Sequence, residues 1–390
     1  MIKRSLESTL RELMREFPVV TVTGPRQSGK TTLCQMTFPR KPYVNLEAPD
    51  TRLFAQEDPR GFLAQFPNGA ILDEFQRVPD LLSYLQPLVD ERKKNGIFLL
   101  TGSQQLEVLD SVGQSLAGRT ALLKLLPLAL AELKGGFRVN TIDELIWKGF
   151  YPRIHVQKIN PGKILANYIE TYVERDLRQL INVKDLRLFQ RFLGLCAGRV
   201  GQILNLNSLA NDVGVSQPTA RTWLSILEAS FIIFLLPPFF RNFSKRLIKS
   251  PKLYFVDVGL AAHLLGISDL KHVSRDPLRG GLFENLVVME ALKNLYNAGK
   301  RSNLFFFRDS SGNEVDLVIE KGRELHALEI KSGATVVSDF FSSLKGFRKV
   351  VGADLLSAWV VYGGEGVQVR SDYSAIPLAR LPVTLNAIQK

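Results

Sequence analysis

Between residues 19 and 126, short apolar runs alternate with amphipathic stretches. The runs fall at residues 19–23, 43–46, 70–73, 97–101 and 121–126. Runs this short and this rich in Val, Ile and Leu fit strands buried on both faces, and the stretches between them fit covering helices. The pattern predicts an α/β layer built on a parallel sheet. From residue 128 to 200 it turns mostly helical, with long charged segments such as 168–180. Residues 205–240 read as helix, turn, helix and then apolar strands. From Lys252 onward α and β mix again, with a helix around 282–295 and strands at 304–307, 314–319, 324–330 and 358–361. The end of the chain, from about Ala375, reads as a loose tail.

A chain of 390 residues suggests two to three domains. The pattern divides it into a core at 1–127, a helical lid or linker at 128–200, a helix-turn-helix at 201–250, an α/β module at 251–375 and a tail at 376–390. With 45% hydrophobic and 23% charged residues the composition is that of a soluble globular protein. Cys34 and Cys196 form no disulfide framework and no metal knuckle, which fits a reducing cytoplasm. The first residues carry charges but no apolar core, so no signal peptide is expected. The most apolar stretch, 231–240, is about half a bilayer span and holds two prolines, so it predicts a buried strand or paired strands and no membrane association. The four histidines are scattered without metal or triad spacing. A net charge of +12 suits an acidic polymer such as nucleic acid, although basic proteins without such a partner are common.

The first run leads into Gly24-Pro25-Arg26-Gln27-Ser28-Gly29-Lys30-Thr31-Thr32, which matches the phosphate-binding loop G-x-x-x-x-G-K-[ST]. An apolar strand precedes it and a helical stretch, 31–37, follows. Backbone N–H groups of such a loop converge on phosphate oxygens at a helix N-terminus. Lys30 would reach the β- and γ-phosphates of ATP, and Thr31 would hold Mg²⁺. The run at 70–73 ends in Asp73-Glu74, as a Walker B strand does. Asp73 would bind Mg²⁺ and Glu74 would polarise the attacking water, which favours hydrolysis over passive binding. The next strand ends in Thr101-Gly102-Ser103; if it neighbours Asp73, Ser103 or Thr101 would contact the γ-phosphate or the lytic water. Arg119 stands just before the fifth strand, either as an arginine finger acting on a neighbour in a ring or as a surface residue.

The segments GPRQSGKTT, ILDEFQRVPDLL, LTGSQQ, SLAGR, LLPLALAEL and YVERDL follow one another in this chain. In that order the chain resembles the prokaryotic AAA+-type ATPases that carry a restriction-endonuclease-like C-terminal domain. The resemblance runs over about residues 1–375 and implies architecture more than purpose. Its Ser or Thr at the sensor position departs from the Asn common in AAA+ proteins.

Residues 208–228 read as a helix-turn-helix: a short helix ends at Gly214, Ser216 caps the next helix and Pro218 sits in its first turn. The apolar 231–240 segment would supply the strands of a wing. In a winged helix the second helix can enter the major groove, so Gln217, Thr219, Arg221 and Thr222 would face DNA. The basic run that follows, with Arg241, Lys245, Arg246, Lys249 and Lys252 and no acid, tilts the reading toward DNA over a protein contact.

In the last module Glu284-Asn285, Glu314-Val315-Asp316 and Glu329-Ile330-Lys331 stand in order, with twelve residues between Asp316 and Glu329. This resembles the PD-(D/E)xK nuclease core. Strand alternation puts Glu329 and Lys331 on one face, and Asp316 joins them if the strands pair. Glu284, Asp316 and Glu329 would bind Mg²⁺, with Lys331 orienting a water and Arg308 touching a phosphate. A fold of this kind that only binds DNA would carry the same letters. The sequence therefore predicts an ATP-hydrolysing, homo-oligomeric ATPase acting on DNA of branched or damaged form. It leaves open an ATP-regulated nuclease, and an NTPase switch of a signalling or toxin-like system.

Overall fold

The computed structural model describes all residues except 1, 104–115, 134–140, 173–184, 241–248, 371–372 and 390. Two compact units emerge. The first comprises residues 1–128 with the short segments 229–231 and 296–300; the second comprises the remainder.

In the first unit five parallel strands lie in the order β2-β3-β4-β1-β5. They are β1 (Val19–Thr23), β2 (Tyr43–Asn45), β3 (Ile71–Asp73), β4 (Phe98–Gly102) and β5 (Thr120–Lys124). Each falls on one of the apolar runs. The side chains alternate between two layers, as the two-residue period of a strand requires. Val20, Val22, Ile71 and Leu99 pack with Leu6, Leu10 and Met14 on one face, together with Leu33 and Cys34 of the Lys30–Thr37 helix. Val19, Leu72, Phe98 and Leu100 pack on the other, against Phe62 and the helix Leu81–Arg92. Full burial contributes about 1.5–3 kcal/mol for each such side chain, which is why both strand faces must be apolar.

In the second unit, helices occupy most of the described residues between 142 and 229. The helix Leu206–Val213 ends at Gly214, whose φ of 89° closes the turn. The helix Gln217–Ala229 follows, and the Ser216 hydroxyl accepts from the Thr219 amide at 3.3 Å, capping it. Its inward stripe is Ala220, Trp223, Leu224 and Leu227. Of the two readings of residues 231–240, the structure holds the single buried strand and corrects the paired strands of a wing. Only β6 (Ile233–Leu236) forms there, and its antiparallel partner is β7 (Lys252–Phe255), on the far side of the basic run. The two prolines explain this, because each lacks the N–H that a second ladder would need.

The chain then builds a mixed sheet in the order β12-β13-β11-β10-β9-β8. Its strands are β8 (Leu304–Arg308), β9 (Glu314–Lys321), β10 (Glu324–Lys331), β11 (Leu355–Tyr362), β12 (Gln368–Val369) and β13 (Ser374–Pro377). The helix Ser342–Val351 packs Leu344, Phe347 and Val351 onto one face. The loose tail from Ala375 is also corrected. Residues 374–377 pair with β11, and the helix Leu381–Gln389 buries Leu381, Leu385 and Ile388.

An interior ion pair lies on the long helix Arg279–Asn297. Lys293 and Glu290, both almost wholly buried, meet at 2.9 Å. Glu290 also accepts from the Leu130 amide at 2.8 Å, and the ammonium sits 3.8 Å from the centre of the Phe150 ring.

Candidate functional site

The loop at residues 24–31 leaves the C-terminal end of β1, between β4 and β5. Two of its glycines are there for physical reasons. A side chain on Gly24 would put its Cβ 2.1 Å from the Leu125 carbonyl, and Gly29 takes φ 92° immediately before the helix. Gln27 also sits in the left-handed region, with φ 62°. Lys30 is buried, and its Nζ donates to the carbonyls of Gly24 at 3.0 Å and Pro25 at 2.9 Å. Burial pushes its ammonium down to about 8, against the pull of Glu74 and Asp73. Thr31 Oγ1 donates to Asp73 Oδ2 at 2.8 Å. Gln27 and Thr32 are exposed, Arg26 is half-buried and Ser28 is buried.

Asp73 ends β3, and β4 places Thr101 directly opposite it. The Thr101 hydroxyl donates to Asp73 Oδ1. Glu74 takes φ 54°, a conformation unusual for a residue with a Cβ, and one that concentrates at functional sites. Its Oε2 accepts from Ser103 at 3.4 Å and from Gln76. Thr101 and Ser103 thus attend different acids, one on Asp73 and the other on Glu74. Arg119 is half-buried and makes a two-pronged ion pair with Asp90, at 2.6 and 2.8 Å.

Three residues of this site escaped the sequence reading. Tyr43 donates its hydroxyl to Asp73 Oδ2 at 2.7 Å. Gln76 bridges Glu74 and Ser103. Arg4, buried, donates to the Ser28 carbonyl at 2.6 Å and the Leu126 carbonyl at 2.7 Å, tying the loop to the chain after β5. Nothing in a lone arginine near a chain start signals this.

Thr31 and Asp73 converge where a phosphate-bound Mg²⁺ would sit. That ion takes only one or two protein ligands in such sites and completes its shell with phosphate and water, so the residues present fit it.

The second unit gathers the acids of the C-terminal module. Antiparallel pairing of β9 and β10 brings Asp316 beside Glu329, and Asp316 Oδ2 accepts from the Ile330 amide at 2.8 Å. Lys331 pairs with Glu329 at 2.5 Å, as the strand period predicts. Glu284, from the helix Arg279–Asn297, joins them through a residue the sequence reading had placed elsewhere. Lys252, assigned to the basic DNA-facing run, is 1% exposed. Its Nζ lies 2.8 Å from Glu284, 2.5 Å from Glu314 and 3.4 Å from Asp316. Tyr254 donates to Glu284 at 2.6 Å, and Arg308 pairs with Glu314 at 3.0 Å rather than standing ready for a phosphate.

Burial, and then Asp316, push the carboxyls of Glu284 and Glu329 up to about 7. Burial works against the charge on Lys252, but Glu284, Asp316 and Glu314 outweigh it and raise its ammonium above the usual lysine value. Lys331 is raised in the same way by Glu329 and Asp316, so it stands as a proton-bearing cation, unsuited to accept a proton from water. Among the described residues no group of three or more His, Cys, Asp or Glu is arranged to hold a metal ion. The expected Mg²⁺ set of Glu284, Asp316 and Glu329 therefore does not fit as arranged, because each of these acids is matched by a lysine or shares one.

Of the expected DNA-facing residues, Gln217, Arg221, Thr222 and Lys249 are exposed. Thr219 is half-buried and its hydroxyl is engaged with Ser216 at 2.8 Å. Arg241, Lys245 and Arg246 lie outside the described residues. Among the described residues no helix is long and apolar enough to cross a membrane.

Comparison with known proteins agrees with the first site. An AAA domain matches residues 16–134. Two domains of unknown function, DUF8612 and DUF4143, match residues 139–271 and 279–381. Uncharacterized proteins of Mycobacterium bovis and Mycobacterium tuberculosis are each 32% identical over 339 residues, covering 85% of this chain and 74% of theirs. Among solved structures, a Walker-type ATPase of Pyrococcus abyssi overlaps 68% of this chain and 96% of its own, at 15% identity and a TM-score of 0.46. RuvB of Thermotoga maritima overlaps 60% of this chain and 86% of its own, at 19% identity and a TM-score of 0.31. The chain belongs to the family of the two mycobacterial proteins, and in it an AAA-type P-loop ATPase domain precedes two domains of unknown function.

Proposed function

We propose that this protein hydrolyses ATP at the loop of residues 24–31 and couples that turnover to DNA held by its second unit. The observation that carries the first half is the meeting of Thr31 with Asp73 at 2.8 Å, beside a Glu74 held by Ser103 and Gln76. The loop amides at the start of the Lys30–Thr37 helix bind phosphate oxygens. Lys30 exchanges the carbonyls of Gly24 and Pro25 for the β- and γ-phosphates. Thr31 and Asp73 hold Mg²⁺, which when bound neutralises charge on those phosphates. Glu74 orients the attacking water and takes its proton, and Ser103 and Gln76 fix the carboxylate that does so. In a homo-oligomer, Arg119 would reach a neighbour's nucleotide only after leaving Asp90. Purified protein should release phosphate from ATP, and Lys30→Ala should not; undiminished release by that variant would sink the reading.

The second half rests on exposed Gln217, Arg221, Thr222 and Lys249 and on the net charge of +12. The helix-turn-helix and the β6–β7 hairpin act in this reading as a winged helix. The C-terminal module serves as a nuclease-like fold that holds DNA without cutting it, since its acids are already paired. Binding through phosphates should weaken linearly with log salt, by about 0.9 per phosphate neutralised. Fluorescence anisotropy with duplex and branched DNA across a salt series measures this. Arg221→Ala should lower affinity for all sequences alike. No binding at low salt, or binding indifferent to salt, would favour a protein partner for the same helix.

A further inference from the structure

Lys252 stands at a point where carboxylates from separate elements converge. Glu284 comes from the helix Arg279–Asn297, while Glu314 and Asp316 come from alternate positions of β9. All three direct an oxygen at the one ammonium, within 3.4 Å. An ammonium has three protons, so three acceptors satisfy it fully. The Phe306 ring centre lies 5.6 Å from the same Nζ, adding an apolar wall with a favourable face for a cation. Glu329 completes the acidic set, and its Oε2 is buried without a hydrogen-bond partner among the described residues.

The charge balance of this cluster is nearly closed from within. Glu284, Glu314, Asp316 and Glu329 face Lys252, Arg308 and Lys331, leaving a single net negative charge. A divalent ion needs the oxygens that Lys252 already holds, and would stand within a few ångströms of a like charge. Ammonium and metal are therefore mutually exclusive occupants. We propose that Lys252 is a resident cation closing a latent divalent-metal site, so that the cluster takes a metal only when that ammonium is withdrawn.

Withdrawal of the ammonium would have to come through the strand that carries it. Lys252 is the first residue of β7. It is held there by the ladder to β6, where it pairs with Leu236. Displacement of this hairpin end would carry the ammonium away and leave three carboxylates, that of Asp316 buried and those of Glu284 and Glu314 half-buried, facing one another. Such a group takes up protons, binds a hard cation or comes apart.

The test uses the full chain without nucleotide and Mn²⁺ as the probe, with free Mn²⁺ followed by electron paramagnetic resonance. Wild type should leave the ion in solution. Lys252→Met should bind one Mn²⁺ per chain, melt at a temperature that climbs with Mn²⁺, and lose both properties when Asp316→Asn is added. One ion bound by wild type and lost in Asp316→Asn would overturn the proposal, as would a folded Lys252→Met that binds none. The double variant Lys252→Met/Glu314→Gln removes one carboxylate with the ammonium and guards against collapse of the single variant. If neither variant can be recovered folded even with Mn²⁺ in the buffer, metal does not replace the ammonium and the proposal fails.

Discussion

Glu74→Gln should bind ATP with near wild-type affinity while losing at least about a hundredfold in turnover, the scale of removing one group that acts only in the transition state. The amide keeps the size of the carboxylate and its contacts with Ser103 and Gln76, but cannot accept a proton from water. Lys30→Ala separates cleanly from it, because that change removes a phosphate contact and lowers affinity as well. Equilibrium binding of a fluorescent ATP analogue beside single-turnover phosphate release distinguishes the two. Glu74→Gln turning over at the wild-type rate would remove Glu74 from the chemistry and move attention to Asp73. The left-handed backbone at Glu74 adds a structural reason to expect specificity at this position. A residue held at φ 54° aims its side chain where an ordinary strand end would not.

The second large effect concerns stability. Lys293→Met should destabilise the second unit by about 3–5 kcal/mol at neutral pH, because it leaves Glu290 buried without its counter-charge. Burial already pushes the Glu290 carboxyl up, and Lys293 restrains it. Without the lysine the folded-state value rises further. An acid whose folded pKa lies above its unfolded one contributes stability that is fully present below the unfolded value of 4.5 and is lost as pH rises from there through the raised folded value. The deficit of the variant should therefore be larger at pH 8 than at about pH 5, both within the range where proteins tend to be most stable. Urea denaturation at the two pH values reads it directly. Equal deficits would assign the loss to packing against Phe150 alone. Lys293→Met/Glu290→Leu should recover most of the stability, since an apolar pair in a buried position is often as stable as the ions it replaces.

The parallel sheet was legible because each strand is buried on both faces and so is written as an unbroken apolar run. The phosphate loop was legible because its glycines answer local demands: Gly24 meets a carbonyl and Gly29 takes a positive φ. Asp73 and Glu74 could be read from a strand ending in acid. Lys252 could not. A lysine among basic neighbours looks solvated, and its burial is decided by Glu284, Glu314 and Asp316, which lie 32 to 64 residues downstream. Tyr43 reads as an ordinary strand aromatic until pairing of β2 with β3 sets its hydroxyl on Asp73. The end of the chain misread for a related reason. Residues 374–377 are too short to show a period, and their place beside β11 comes from the sheet rather than from themselves.

The bonds of Arg4 set an order of assembly. Its guanidinium spans 24 residues to Ser28 and 122 residues to Leu126, and Gly24 abuts the carbonyl of Leu125. During synthesis the first bond is within reach as soon as the loop emerges, whereas the second waits until the fifth strand has been made. The ribosome must therefore deliver about a third of the chain before the phosphate loop has both of its walls, and a nascent chain shorter than that carries the motif without a finished cradle for nucleotide.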